Sequence, residues 1–413
     1  MKIKKRTWQF CLIIVALVFY FIANFQRIAI PGAVFDVLEQ ELSVAAPYIT
    51  GFGAVFMYVY ALTQLINGVL IDRYGGLRVM CAGGVILALG CLIFPLGNNL
   101  PLMYLSRGLM GVGGSAFYLS LIKELRNLYS DKNFGLALSV MLFVGYAGGI
   151  AANAPFVHAM NYMGWRDILL VIAAITVISA VIFIVILMTK VKPEPINTEV
   201  ELKAMPFEMV LHKKHNRNLF SFACCNFGIS YVIQTVIGKK FLEDFCLMSV
   251  HKAAMILSIM AIVAAAFNII NAVVCKMCHN KRVMFLKGAS VITFLCLASI
   301  CLLIAFDIRS SVIALIFCIL AGNASLSSLL VPVLHMTNRK MVSTTAVSIM
   351  NFCFFMMVGI LGTLTGFILK VFEPVRVNGV LVYGRNSYLL LFGVFLAISL
   401  FEVYKAAKLS DKY

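Results

Sequence analysis

Charge is what this chain has least of. Asp, Glu, Lys and Arg together make up 12% of its 413 residues, while hydrophobic types make up 62%. A water-soluble protein of this length needs far more charge to cover its surface, so lipid is the main solvent. Cysteines in paired spacing are missing too. Most of the 12 cysteines sit inside apolar runs, as Cys81, Cys91, Cys296 and Cys301 do, which excludes a disulfide scaffold or zinc module and leaves small buried packing groups. No Gly-rich phosphate loop ending in Lys-Ser/Thr is present, so ATP is not the expected energy source. No catalytic constellation and no His/Glu metal spacing stands out, so neither an enzyme nor a cofactor or metal requirement is expected.

The excess of basic residues gives a formal charge of +17. These residues lie in short segments between apolar runs, without interleaved aromatics, so nucleic acid is not the expected partner. The positive-inside rule accounts for them instead. The apolar runs are continuous and of helix-span length, and they lack the alternation of barrel strands. They cover residues 8–36, 47–71, 78–97, 101–122, 134–157, 166–188, 218–238, 253–274, 283–305, 311–334, 345–371 and 387–404. The fold expected is an all-α membrane protein of twelve transmembrane helices in two pseudo-symmetric six-helix bundles. Residues 1–188 form the first bundle, 189–217 a cytosolic linker and 218–413 the second. The first apolar run is too long for a signal peptide and has no small-residue cleavage site, so it reads as an uncleaved span.

Alternating the sides of the spans from a cytosolic linker places both termini inside. The basic residues are biased that way: Arg73, Arg78, Lys123, Arg126, Lys132, Lys213, Lys214, Arg217, Lys276, Lys281, Arg282, Lys287, Arg339, Lys340 and Lys412 are among those on inner segments, while outer segments hold fewer, Arg166, Lys239, Lys240, Lys252, Arg309, Lys370, Arg376 and Arg385. A weak internal echo, Asp72-Arg73 with Arg78-Val79-Met80 against Cys275-Lys276 with Arg282-Val283-Met284, is consistent with duplicated halves.

The strongest motif is Gly68-Val-Leu-Ile-Asp72-Arg73-Tyr-Gly75-Gly76-Leu-Arg78. Gly68 permits close helix approach and Gly75-Gly76 a tight turn, and Asp72 ends a helix where it can meet basic groups. The segment resembles the signature loop of the major facilitator superfamily. Arg107-Gly108, with Gly111, Gly113 and Gly114, resembles that family's fourth-helix motif. Gly145, Gly148 and Gly149 with Pro155 are a loose form of its fifth-helix motif, and Gly164-Trp165-Arg166 is another frequent feature. The resemblance covers essentially the whole chain. It implies a transporter, with Gly68, Asp72, Arg73, Gly75, Arg78, Arg107, Gly111 and Gly148 in gating or conformational roles. Leu77 replaces a usual basic residue of the loop, and Cys275 stands where the C-terminal copy has its acid.

In the first run Tyr20, Asn24, Gln26 and Arg27 interrupt apolar sequence. Asn24-Phe-Gln26-Arg27 followed by Ile30-Pro31 is similar to the first-helix pattern of the organic-anion and organophosphate branches, where an Arg meets the substrate's anionic group. A guanidinium suits a carboxylate or phosphate through its planar fork. The alternative is an Arg that snorkels to the headgroups. Tyr118, Tyr231, Gln234 and Asn323 are the further candidate substrate contacts. Each also reads as interhelical glue. Lys239 and Lys240 are expected at the outer surface, drawing anions or touching headgroups, and His158 and His335 as solvated or capping groups. No carboxylate is placed securely at mid-membrane, so proton symport through a buried acid is unsupported.

The expected function is secondary active transport of a small organic anion by alternating access, with a coupling ion or counter-substrate as further partner. The protein is expected to act as a monomer in the plasma membrane (the inner membrane of a bacterium). Export of drugs or other hydrophobic compounds by the same fold is the alternative, suggested by the 32 Phe and 21 Met. A non-transporting membrane sensor is the third reading, disfavoured by the short linker.

Overall fold

A computed structural model describes residues 2–191, 207–279, 281–338, 340–377 and 380–410. Residues 192–206 of the expected linker, and Arg339 and Lys412 among the inner basic positions, lie outside the described residues. The described chain is helical apart from one small hairpin. In chain order the elements are α1 (Lys2–Ala29), α2 (Phe35–Leu42), α3 (Ala46–Tyr74), α4 (Gly76–Leu96), α5 (Leu100–Leu128), α6 (Asp131–Ala151), α7 (Ala154–Ala159), α8 (Trp165–Thr189) and α9 (Phe207–Leu211). There follow α10 (Lys214–Val232), α11 (Gly238–Asp244), α12 (Val250–Met277), α13 (Arg282–Ala305), α14 (Val312–Asn323), α15 (Ser327–Thr337), α16 (Lys340–Leu369), β1 (Val375–Val377), β2 (Val380–Val382) and α17 (Arg385–Ala407).

Among the described residues, 10 helical segments are long and apolar enough to cross a membrane. Two of these are interrupted helices: Lys214–Asp244 contains α10 and α11, and Val312–Thr337 contains α14 and α15. α6 contributes a shorter apolar stretch, Leu136–Ala151, and α5 carries Arg107, Lys123, Glu124 and Arg126 along an otherwise apolar helix. Together these make the twelve spans of the sequence reading. Large apolar side chains stand exposed along them, among them Phe143, Ile178, Ile269 and Phe367, as lipid-facing surfaces require.

The chain divides into two compact units. One holds residues 1–29 and 55–203, the other residues 30–54 and 204–413. The first unit is built on α1 packed against α5, α6 and α8, with α4 held between α5 and α8. Phe19 stacks on Phe117 at 5.2 Å and meets Phe183 at 6.1 Å in its core. The α4–α5 contact is close because glycines face it: a Cβ on Gly113 would lie 2.5 Å from Leu87 N and 2.6 Å from Gly83 O. The second unit is built on α10 against α16 and α17, α13 against α17, and α12 against α14. Phe241 is central there, 4.7 Å from Phe392 and 4.9 Å from Tyr388.

Several boundaries differ from the sequence reading for identifiable reasons. The run 8–36 is not one helix. α1 stops at Ala29 and Pro31 lacks the N–H a continuing helix needs, so a short 3₁₀ turn (Gly32–Val34) leads into α2. The seventh span passes through a π-helical turn at Ile233–Ile237 before α11. The tenth is broken at residues 324–326 between α14 and α15. Its loosened carbonyls find donors: Asn271 Nδ2 reaches Ser325 O at 3.0 Å and Gly322 O at 3.4 Å. Non-helical backbone within a span needs such partners.

Candidate functional site

α1 carries Tyr20, Asn24 and Arg27 on one helical face of the first unit. Asn24 Nδ2 donates back to Tyr20 O at 2.7 Å, and Arg27 donates to the Asn24 side-chain oxygen. Arg27 also bonds the Tyr60 side chain of α3, with its guanidinium carbon 5.7 Å from that ring's centroid. Tyr20, Tyr60, Tyr118 and Tyr146 lie within electrostatic reach of one another on α1, α3, α5 and α6. Gly145 of α6 makes room for this arrangement, since a Cβ there would sit 2.6 Å from the Tyr20 ring. The guanidinium thus lies against Tyr60 and within electrostatic reach of Tyr20, whose neighbours are Tyr118 and Tyr146. Asn24 and Tyr60, two neutral groups, orient the guanidinium.

Gln26 points elsewhere. It is fully buried, its side chain lies beside Cys91, and its backbone carbonyl accepts from Arg107 Nη1 at 3.0 Å. Arg107 is itself fully buried, against the Phe56 face at 4.7 Å and Met110 Sδ at 3.3 Å. A guanidinium in that setting is held by a carbonyl and by ring quadrupoles. Arg107 therefore ties α5 to α1 one residue before Arg27.

In the second unit Tyr231 of α10 stacks on Phe227 at 4.9 Å and meets Phe355 of α16 edge-on at 6.4 Å. Gln234 lies in the π-helical turn and is buried. Asn323, the last residue of α14, donates to Thr293 Oγ1 and to Ala289 O, each at 2.8 Å.

The loop between α3 and α4 has the form its glycines suggest. Gly75 takes a left-handed φ of 83°, which a residue with a Cβ adopts only under strain. Gly76 sits where a Cβ would be 2.7 Å from Glu124 Oε1. Asp72 lies 3.6 Å from Lys123 Nζ, which also donates to Ile71 O at 2.9 Å, and Arg78 donates to Tyr74 O at 3.0 Å. Arg73 covers the Tyr74 ring at 5.5 Å. Gly68 is half-buried on α3. A Cβ on Gly111 would lie 2.8 Å from Phe56 O, and one on Gly148 would lie 2.3 Å from Phe21 O. Arg166 caps α4 by donating to Pro95 O at 2.5 Å and Gly97 O at 3.0 Å.

Two features depart from the sequence reading. Lys239 and Lys240 are not surface groups; they are 4% and 1% exposed. Lys240 Nζ lies 2.6 Å from Asp36 Oδ1 and 3.0 Å from Asp244 Oδ1, and donates to Leu381 O at 2.5 Å. Lys239 pairs with Glu243 at 2.9 Å. Tyr388 donates to Asp244 Oδ2 at 2.7 Å, and Tyr383 donates to Glu39 Oε1. The cluster joins α2, α11, the β1–β2 hairpin and the start of α17. Burial works against the Asp36 carboxylate, but Lys240 and Lys239 outweigh it and hold the group below its ordinary range. Burial dominates at Glu39, only partly offset by Tyr383 and Lys240, and pushes its carboxyl up to about 7. The Tyr383 hydroxyl is pushed far up by burial and the neighbouring Glu39 carboxyl, so it remains a donor. A visible signal existed: two Lys and two acids within Lys239–Asp244 at helical spacing.

The second departure is an acid inside a span. Glu402, in the last apolar run, is fully buried on α17 and accepts from Asn226 Nδ2 at 2.9 Å. A lone Glu among Leu, Phe and Val was the signal for it.

Comparison with known proteins places this geometry. The chain matches the family model of the Major Facilitator Superfamily over residues 12–363. It is 30% identical over 135 residues to mouse solute carrier family 2, facilitated glucose transporter member 10, covering 31% of this chain and 23% of that protein. It is 29% identical over 163 residues to the human chromaffin granule amine transporter, covering 38% and 30%. The chain thus matches under a third of the length of either relative. Crystal structures of a bacterial homolog to the human lysosomal transporter Spinster align over 97% of this chain and 96% of theirs. The inward-facing unoccupied form gives a TM-score of 0.73 at 15% identity, and the occupied form 0.74 at 16%. With twelve spans, a glycine-turned loop after α3 and a family match over most of its length, this chain belongs to the major facilitator superfamily and is a membrane transporter, not an enzyme.

Proposed function

We propose that this transporter is a secondary carrier that moves a small organic anion by alternating access. The single observation that supports this most is Arg27, held by neutral Asn24 and Tyr60 within electrostatic reach of Tyr20. A substrate carboxylate or phosphate is the natural complement of a guanidinium's planar fork of donors. In this reading Arg27 meets the acidic group, Asn24 and Tyr60 set its angle, and Tyr20 and Tyr118 line the approach. Gln26 acts through its carbonyl on Arg107. Tyr231, Gln234 and Asn323 contribute from the second half, taken as residues 218–413, with 1–188 as the first half and 189–217 joining them. Gly68, Asp72, Arg73, Gly75 and Arg78 bias the inner gate, while Arg107, Gly111 and Gly148 keep the first-half helices in register. Both termini are cytoplasmic, the protein sits in the plasma membrane, and a counter-substrate or ion drives the cycle.

The test begins with purified protein screened for thermal stabilisation by carboxylates, sugar phosphates and amino acids, since a ligand of the folded state raises its apparent stability. The hit is then followed in reconstituted vesicles. Arg27→Ala abolishing uptake supports the anion site; unchanged uptake overturns it.

One observation favours a second reading. Phe227 stacks on both Tyr231 and Phe354, at 4.9 and 4.7 Å, with Phe355 edge-on at 5.8 Å. That aromatic surface suits hydrophobic compounds, and export of drugs would then be the task. A resistance profile in a deletion strain separates the two: sensitivity to many unrelated apolar drugs selects export.

A further inference from the structure

The buried acid of α17 has surroundings that say what it binds. Glu402 is 0% exposed. Its Oε1 accepts from Asn226 Nδ2 at 2.9 Å, and its Oε2 is buried with no hydrogen-bond partner among the described residues. Thr293 of α13 lies within hydrogen-bonding reach of the carboxyl, and its hydroxyl also lies 3.1 Å from Ala289 O. Its oxygen accepts from Asn226 Nδ2 at 2.9 Å and from Asn323 Nδ2 at 2.8 Å. The hydroxyl proton is thus shared between Ala289 O and the carboxyl.

No ion pair involves Glu402 among the described residues. Cys225 on α10 is the titratable group that faces it. α13 presents neutral Thr293, and α16 turns Cys353 toward Cys224 instead. On its own helix, Lys405 lies over the rings of Phe401 at 5.0 Å and Tyr404 at 6.0 Å. An ionised Glu402 would thus be a buried charge set against a neutral amide and a neutral hydroxyl, an arrangement proteins avoid in a span. A metal ion does not fit either. The Asn226 amide aims an N–H group at the carboxyl, and no group of three or more His, Cys, Asp or Glu with metal-holding geometry exists among the described residues.

We propose that Glu402 is a proton-binding site of this carrier, and that its proton is relayed as a change in hydrogen bonding to the break in the tenth span. The exchange is simple: the carboxylate takes a proton from water on whichever side has access, becomes a neutral acid, and returns it later. The relay is a continuous chain of hydrogen bonds. Glu402 holds Asn226, Asn226 holds Thr293, and Thr293 holds Asn323, which ends α14 immediately before residues 324–326. An ionised carboxylate pulls the Asn226 amide harder than a neutral one and weakens its bond to Thr293. Mere interhelical glue would not need an acid, because the Oε1 of a Gln would accept the same Asn226 bond. The role as coupling group rests on the carrier reading above, while the proton site itself does not.

The test therefore needs no substrate. Full-length protein and Glu402→Gln, both in lipid nanodiscs, are compared by infrared spectroscopy through a pH titration. The expected result is a protonated-carboxyl C=O band in the wild type that bleaches as pH rises and is missing from the variant. Asn226→Ser, which removes a donor to Oε1, should move that band to higher frequency, and it serves if the Gln variant does not fold. Identical spectra for wild type and Glu402→Gln overturn the proposal. A band that stays through the whole titration makes Glu402 a structural acid and also overturns it. A band that bleaches on adding sodium at constant pH assigns the site to a metal cation and does the same. Failure of Arg27→Ala to change uptake would leave all three outcomes standing, so the two claims fall separately.

Discussion

Lys240 Nζ stands 2.6 Å from Asp36 Oδ1, so a cation at the end of the seventh span holds a short helix that follows the first. Asp36 belongs to a segment, residues 30–54, that packs with the C-terminal unit. Lys240 is 1% exposed and also pairs with Asp244, which makes it the hub of the cluster. Removing one partner of a buried ion pair leaves the others uncompensated and costs about 3–5 kcal/mol. Lys240→Met should therefore lower the thermal midpoint strongly. Adding Asp36→Asn and Asp244→Asn should return much of the loss, because the cost lies in stranded charge. A Lys240→Met protein as stable as wild type would show that the cluster does not hold α2.

Glu39 gives the same cluster a pH dependence. Its carboxyl is raised from 4.5 to about 7 by burial, outweighing the help of Tyr383 and Lys240. The folded state then holds a proton that the unfolded chain has released between those two values. Stability contributed by Glu39 is full below pH 4.5 and falls as pH rises toward 7, at no more than about 1.4 kcal/mol per pH unit. Thermal midpoints measured across that window should slope downward with pH in the wild type, more steeply than in Glu39→Gln. Parallel curves would mean that Glu39 is solvated. Glu243 of the same cluster is also raised to about 7, mainly by burial, so Glu243→Gln is measured alongside to separate the two.

How much of this was legible in the sequence differs by residue. The spans were, because hydropathy sums over many positions and tolerates local error. Gly75 was as well, since a paired glycine between two apolar runs has few other uses, and the structure gives it a φ of 83°. The partners of Lys240 were not. Asp36 lies 204 positions away in the chain, and nothing local says that the two meet. Glu402 was overlooked for a different reason. It lies near the end of its run, where an acid ordinarily reaches water, and only the packing of α10 and α13 around it closes that route. Arg27 could be narrowed to two roles, cavity or headgroups, because local sequence does not say which surface its guanidinium meets.

Glycine substitutions separate packing from propensity. Gly113→Ala would place a Cβ 2.5 Å from Leu87 N and 2.6 Å from Gly83 O, both rigid backbone atoms. The α4–α5 pair must then part, at a cost of about 1–3 kcal/mol or more. Gly288, inside α13, has nothing within 4 Å of the same position. Gly288→Ala should stabilise by up to about 1 kcal/mol through helix propensity alone. Opposite shifts in thermal midpoint are expected. A neutral Gly113→Ala would mean that α4 and α5 are less tightly apposed than the backbone distances require.

Asp72 tests whether the α3–α4 loop is structural or conformational. Its side chain is 70% exposed and its pairing with Lys123 is loose at 3.6 Å. Exposed pairs of this kind contribute only about 0–1 kcal/mol. Asp72→Asn should leave the thermal midpoint nearly unchanged. If the loop biases the inner gate, the same variant slows uptake severalfold, an effect that stability cannot explain. Equal loss of both would assign Asp72 to folding.

Arg27→Lys is the sharpest probe of the substrate site, because the two roles open to Arg27 predict opposite results. A snorkelling residue needs a long stem and a charged head, and Lys supplies both as well as Arg does. Substrate binding through a planar fork needs two parallel donors, which a single ammonium cannot present. The loss of one charge-assisted hydrogen bond is worth about 1.5–3 kcal/mol, or roughly 10- to 100-fold in affinity. Lysine would also give up the paired geometry with the Asn24 oxygen and the Tyr60 side chain that now aims the guanidinium. Uptake in reconstituted vesicles should therefore show a Michaelis constant raised by about that factor, with an unchanged thermal midpoint. Wild-type kinetics in Arg27→Lys would assign the residue to the headgroup region and remove the anion from the proposed substrate class.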